Sequence, residues 1–143
     1  MYKKIEKLAS LTIGEIYLLI IAFILLATFK LLIKLLPFHL LQKKYQNWVK
    51  SEIEKESNVS EIKQKALAIN RISFAFRFLG FTCLPKAMAM KYWLKTNKKI
   101  ALHFGVQKDL NNNFAAHAWV TQSDKTILGD DPTTHYKSIW VWE

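Results

Sequence analysis

One apolar run near the N-terminus constrains the fold of this chain more than any other feature. The nineteen residues from Leu11 to Phe29 contain a single charged side chain, Glu15. A helix rises 1.5 Å per residue, so this run could cross the roughly 30 Å hydrocarbon core of a bilayer. The apolar character continues almost to Pro37. We therefore predict one long helix over residues 11–36.

The sequence leaves open whether this helix enters a membrane or packs in a core. Glu15 would be costly at the centre of a bilayer, although the cost falls near one end of the helix. Lysines flank both ends of the run, so the bias of basic residues gives no orientation. The run is too long for a secretory signal peptide, and no small-residue cleavage site follows closely. We expect either membrane association through residues 11–36 or a packed helix.

The charge of the chain excludes some partners. The net charge is +10, and 19 of the 21 basic residues are lysine. Arginine is the usual reader of guanine edges, so we expect no nucleic-acid partner. Lysine spread along the chain favours solubility or attraction to anionic lipid. The single cysteine excludes a disulfide framework and suits a reducing compartment, so we expect a cytoplasmic protein.

Two helices are predicted around the midpoint of the chain. Asn58 precedes Glu61 by three residues, which is a capping-box spacing. Apolar residues then recur at helical spacing, and Gly80 is expected to end that helix. The next helix is predicted to begin at Cys83, where the unpaired N–H groups and the macrodipole stabilise a thiolate. Thr82 is expected to cap it. A lone cysteine is more often a small buried hydrophobe, so Cys83 needs partners to be a nucleophile.

An antiparallel sheet is predicted to follow, because apolar and polar residues alternate in short segments. The predicted strands cover residues 100–106, 115–120, 126–128 and 139–142. His117 lies on the second strand between small alanines, and Asp130 and Asp131 follow the third. An imidazole can take the proton of a thiol, and a carboxylate can hold that imidazole in the right tautomer. The order cysteine, histidine, aspartate therefore indicates a thiol nucleophile.

Other chemistries have less support. Cys83, His103 and His117 match no common zinc-finger spacing, and a structural zinc site usually needs four ligands. We expect no metal site and interpret His103 as a structural residue with a satisfied hydrogen bond. The chain has no glycine-rich phosphate loop, so we expect no nucleotide or other cofactor.

Four blocks of sequence resemble the lasso-peptide biosynthesis leader peptidases, which are bacterial transglutaminase-like, papain-related cysteine proteases. The similarity spans roughly residues 70–132. The blocks are Cys83-Leu84-Pro85-Lys86-Ala87-Met88-Ala89-Met90, His103-Phe104-Gly105-Val106, Phe114-Ala115-Ala116-His117-Ala118-Trp119-Val120 and Leu128-Gly129-Asp130.

The resemblance implies removal of the leader from a ribosomally synthesised precursor peptide during antibiotic biosynthesis. It implies Cys83 as nucleophile, His117 as general base and acid, and Asp130, with Asp131 second, as the residue that orients His117. The freed N-terminus would pass to an ATP-dependent lasso cyclase. Residues 1–65 look helical and unlike a leader-binding module, so a separate leader-binding protein is expected.

The predicted fold class is α+β. A helical N-terminal region (residues 1–65) precedes a small papain-like, transglutaminase-like core (residues 66–143) in which the Cys83 helix packs on the sheet. Two alternatives stay open. The chain could be a non-catalytic membrane-associated scaffold of a peptide-maturation complex. It could also be a transglutaminase-like acyl transferase, because hydrolysis and transfer pass through the same thioester and differ only in the acceptor.

Overall fold

The computed structural model describes residues 11–108, 113–129 and 136–143. Within them the chain forms four α-helices and a four-stranded antiparallel sheet, which confirms the predicted α+β class. The helices are α1 (Ile13–Leu35), α2 (Phe38–Val49), α3 (Val59–Ala75) and α4 (Cys83–Trp93). The strands are β1 (Ile100–Lys108), β2 (Phe114–Gln122), β3 (Lys125–Leu128) and β4 (Lys137–Trp142).

The single acid of the apolar run lies in the first turn of α1 and caps the helix. The Thr12 hydroxyl accepts a hydrogen bond from the Glu15 backbone N–H at 3.2 Å, and the Glu15 carboxylate accepts from the Thr12 N–H at 2.9 Å. This reciprocal pair is a capping box, which satisfies two of the backbone donors left unpaired at a helix start. Glu15 is therefore an N-terminal signal of α1.

The inner face of α1 belongs to the core of the protein. Ala22, Leu26 and Phe29 are buried, and they share one hydrophobic cluster with residues of α3, α4 and the sheet. By length and composition α1 could also cross a membrane. The packing of its inner face means that the helical region completes the core. The division of the chain at residue 65 stays a prediction.

The helix that starts at Asn58 ends earlier than its apolar pattern predicts. Asn58 does cap α3, because its side chain accepts from the Glu61 N–H at 2.7 Å. However, α3 ends at Ala75, and residues 77–79 tighten into a 3-10 turn. The prediction that one helix runs to Gly80 was wrong. Gly80 instead closes the 3-10 turn in the left-handed conformation (φ 64°), which favours glycine.

The helix α4 lies between the other helices and the sheet, where it packs against α1, α3, β1 and β2. The sheet has the order β3-β2-β1-β4. On one face, Leu102 of β1 pairs with Val120 of β2, and both are fully buried. The opposite face carries the histidines, since His117 pairs with Gly105 and Trp119 pairs with His103. The register thus places the side chains of His103 and His117 on the face of the sheet opposite to that of Leu102 and Val120.

Candidate active site

Cys83 is the first residue of α4 and is partly buried. Thr82 occupies the N-cap position, as expected, but its side chain makes no capping hydrogen bond among the described residues. The backbone N–H groups of the first turn are the orphan donors of a helix start. Cys83 therefore lies beside backbone N–H donors that the helix itself leaves unpaired.

His117 lies on β2 in a stack of rings. Its imidazole is 6.0 Å from the Trp119 ring, centroid to centroid, at an interplanar angle of 16°, and 4.9 Å from the Tyr136 ring. His103 stacks on Trp119 at 5.3 Å and 7°. The Nε2 atom of His117 is buried. Contacts with two neighbouring rings restrict the orientation of the His117 imidazole.

Two glycines make room for the central ring of this stack. A Cβ atom placed on Gly105 would lie 2.6 Å from a carbon of the Trp119 ring, closer than side chains tolerate. A Cβ atom on Gly129, whose φ is +99°, would lie 2.7 Å from Trp119 Cβ. Trp119 is 5% exposed. Glycine at both positions thus lets the ring pack flat beside His117.

Cys83 and His117 together line two cavities bounded by described residues. The first has a volume of about 350 Å³, and Asn70 and Lys86 contribute its polar and charged lining. The second has a volume of about 220 Å³ and is lined mostly by apolar side chains. We call them the polar cavity and the apolar cleft. The two predicted reacting residues therefore lie at the junction of a polar and an apolar space.

Asp130 and Asp131 lie outside the described residues, so the assignment of the third residue stays a prediction. Gly129, which precedes them, lines the polar cavity beside His117.

His103 has a structural environment. Its Nε2 atom is 2.9 Å from the Thr121 hydroxyl oxygen. Burial lowers the pKa of His103, and the carboxylates of Asp124 and Glu143 partly oppose that shift. Among the described residues, no group of three histidine, cysteine or acidic side chains could hold a metal ion.

Sequence reasoning missed several residues of the site. Trp119 follows His117 by two positions, and this period places both on one face of a strand, so that signal was available. Phe38 at the start of α2 lines the apolar cleft, although it is far from Cys83 in sequence. No local pattern identifies Phe38, because only the packing of α2 against the sheet brings it to the site.

A comparison with family models finds one match, described as the transglutaminase-like superfamily, over residues 23–141. The match includes Cys83, His117 and most of α1. No curated protein and no solved structure matches the chain significantly.

Proposed function

The chain belongs to the transglutaminase-like superfamily, and from that membership we propose that it is a cysteine peptidase that removes the leader of a ribosomally synthesised precursor peptide in lasso-peptide maturation. Members of the superfamily are often cysteine-dependent enzymes and include both peptidases and acyl transferases. The observation that carries the proposal is the position of Cys83 and His117, which line the same two cavities from a helix start and a neighbouring strand.

The proposed reaction begins with proton transfer from the Cys83 thiol to the His117 imidazole. The thiolate attacks the carbonyl carbon of the scissile peptide bond, and backbone N–H groups at the start of α4 stabilise the oxyanion. The tetrahedral intermediate collapses, the C–N bond breaks, and His117 returns the proton to the departing amine. Water then hydrolyses the thioester with His117 as base, which releases the acid and restores the thiol.

The orientation of His117 has two proposed sources. The stack with Trp119 and Tyr136 restricts its ring plane. We propose that Asp130 holds its tautomer, with Asp131 as the second candidate, because a carboxylate stabilises the imidazolium that forms during catalysis. The proposed partners are the precursor peptide, a separate leader-binding protein and an ATP-dependent lasso cyclase, all in the cytoplasm.

The test measures cleavage of a candidate precursor peptide by the full chain, together with its leader-binding partner, using mass spectrometry. Cys83→Ala and His117→Ala should each lower kcat/KM at least about a thousandfold, and the double variant should lose little more, because the two residues act as a unit. An Asp130→Asn variant should lose less. Unchanged circular dichroism of each variant is the control for folding.

Three results would change the proposal. Cleavage that persists in Cys83→Ala would remove the peptidase function. A larger loss in Asp131→Asn than in Asp130→Asn would exchange the third residue. A product joined to added glycine ethyl ester, in preference to the free acid, would favour the acyl-transferase alternative, since only the acceptor of the thioester differs.

The outer face of α1 supports a proposal on location. Large exposed apolar residues recur along it at spacings of three, four and seven, so they form one stripe. The stripe comprises Ile13, Ile16, Tyr17, Ile20, Ile24, Leu31 and Leu35. A full membrane span would remove Leu26 and Phe29 from the core. We therefore propose that α1 lies on an anionic membrane surface, which would attract a chain with a net charge of +10.

A further inference from the structure

The two cavities beside Cys83 differ in chemistry. The polar cavity is lined by Asn70, by Lys86 and by the backbone of Gly129. The walls of the apolar cleft come from α2, α4 and three strands. Its apolar side chains are Phe38, Leu84, Phe104, Val106, Ala116, Ala118, Ile139 and Trp140. A substrate that reaches Cys83 and His117 therefore has unlike surroundings on its two sides.

A bulge in the sheet builds one wall of the apolar cleft. Phe104 of β1 pairs with Trp140 of β4, but the next residue, Gly105, pairs with Ser138. The register thus passes over Ile139. Consecutive residues of a regular strand face opposite sides, and a bulge re-aims side chains locally. This explains how both Ile139 and Trp140 line the cleft.

The aromatic wall of the cleft is already assembled. Phe38 stacks on Trp140 with ring centroids 5.8 Å apart and an interplanar angle of 21°, and it meets the Phe104 ring edge-on at 6.2 Å. Even so, Ile139 is 47% and Trp140 48% exposed. These apolar surfaces face an open space beside the nucleophile, where a bound apolar group would remove them from water.

The size of the cleft limits its occupant. Its volume of about 220 Å³ is below the 300–1,000 Å³ typical of sites for whole small molecules. One aliphatic or aromatic side chain is a suitable occupant. Because Cys83 and His117 border the cleft, that side chain must belong to a residue close to the cleaved bond.

The chemistry of the two half-reactions assigns the cleft to the acyl side. The acyl group stays bonded to Cys83 in the thioester, whereas the amine must leave and a water molecule must enter. Water and a departing amine suit the polar cavity. On the basis of the proposed peptidase function, we infer that the apolar cleft is a specificity subsite for one large hydrophobic side chain on the acyl side of the cleaved bond.

The experiment uses alkylating probes that resemble the acyl side of a substrate. They are acetyl-X-glycyl and acetyl-glycyl-X chloromethyl ketones, in which X is Leu, Phe, Ala or Asp. The second-order rate of Cys83 labelling is measured on the full chain by intact-protein mass spectrometry. At one of the two positions, Leu or Phe should give labelling at least about tenfold faster than Ala or Asp.

Two neighbouring alanines of β2 provide a matched pair of variants. Ala116 lines the cleft and Ala115 does not, and both are exposed, so a larger side chain is sterically tolerated at either position. Ala116→Phe should fill the cleft and remove the preference for Leu and Phe. Ala115→Phe, on the other face of the strand, should retain it. The rate of labelling by iodoacetamide, which has no side chain to place in the cleft, is measured in each variant, and each chloromethyl ketone rate is divided by it.

The outcomes separate the two proposals. Equal rates for all four side chains, or a preference that survives in Ala116→Phe, would overturn the subsite. Iodoacetamide labelling of the natural chain that is no faster than labelling of His117→Ala would overturn the peptidase proposal itself, because His117 would then not activate the Cys83 thiol.

Discussion

The helices α1 and α4 are both rich in apolar residues, but for different reasons. The helix α4 is enclosed, and its buried residues are Pro85, Ala87, Met88, Ala89, Met90 and Lys91. The longer α1 buries Ala22, Leu26 and Phe29 and exposes a stripe along its other face. Packing within the protein explains why α4 is apolar. It explains the apolar residues on only one face of α1. An apolar helix is therefore a core helix only on the faces that another element covers.

Each helix also carries one lysine that donates hydrogen bonds to backbone carbonyl groups where another element begins or ends. Lys30 of α1 donates hydrogen bonds to the carbonyl oxygens of Leu79 and Gly80, where the 3-10 turn ends. Lys91 of α4 donates to the carbonyl of Ile100 at the start of β1. These charges interrupt apolar patterns, yet each one satisfies carbonyl groups that secondary structure leaves available.

The largest expected effect concerns the stability contributed by buried residues of the two helices. Met88→Ala in α4 and Leu26→Ala in α1 each remove a fully buried side chain and should lower the free energy of unfolding by about 2–5 kcal/mol. Ile20→Ala on the α1 stripe, 53% exposed, should change it by less than about 0.5 kcal/mol. Equilibrium urea unfolding measures all three. If Leu26→Ala left the free energy of unfolding unchanged, α1 would not pack in the core.

A smaller effect is expected for the binding of the α1 stripe to lipid. Replacing Ile16, Ile20 and Ile24 together by serine should weaken co-sedimentation with phosphatidylglycerol vesicles about tenfold or more, because it removes apolar area that the interface would bury. Phosphatidylcholine vesicles should bind less of the natural chain, since they lack negative charge. The double variant Phe74→Ser/Phe78→Ser is the control, because it removes exposed apolar side chains elsewhere. An equal loss in that control would exclude α1 as the specific contact.

The smallest effect concerns the buried lysine of α4. Burial lowers the pKa of Lys91 below its usual value of 10.5, and attraction to Glu143 only partly opposes this shift. As the pH rises from the lowered pKa towards 10.5, the folded state loses this proton before the unfolded state does. The unfolded state then binds more protons, so the free energy of unfolding rises with pH in that window.

Comparison with Lys91→Met isolates this dependence. The free energy of unfolding of the natural chain, relative to that of Lys91→Met, should increase as the pH rises from the lowered pKa of Lys91 towards 10.5. A Lys63→Met variant, at an exposed position of α3, should show no such relative change. A flat difference for Lys91→Met would mean that Lys91 is solvated in solution.

Much of the fold and part of the site could be predicted from short-range patterns. Period-two alternation located β1 and β2, and cap residues located the starts of α3 and α4, because both signals depend on neighbours in sequence. The end of α3 was predicted wrongly. Its apolar spacing continues past Ala75, but the tighter turn over residues 77–79, closed by Gly80, ends the α-helical hydrogen bonding first.

The amino-acid sequence by itself determined the elements and the position of Cys83 and His117 on them, because helix capping and strand alternation are local properties. Only the tertiary structure decided which face of α1 is buried, how Gly105 and Gly129 admit the Trp119 ring, and that Phe38 and a bulged β4 form the cleft beside Cys83. These features depend on contacts between residues distant in sequence, whose geometry is set by packing rather than by any local pattern.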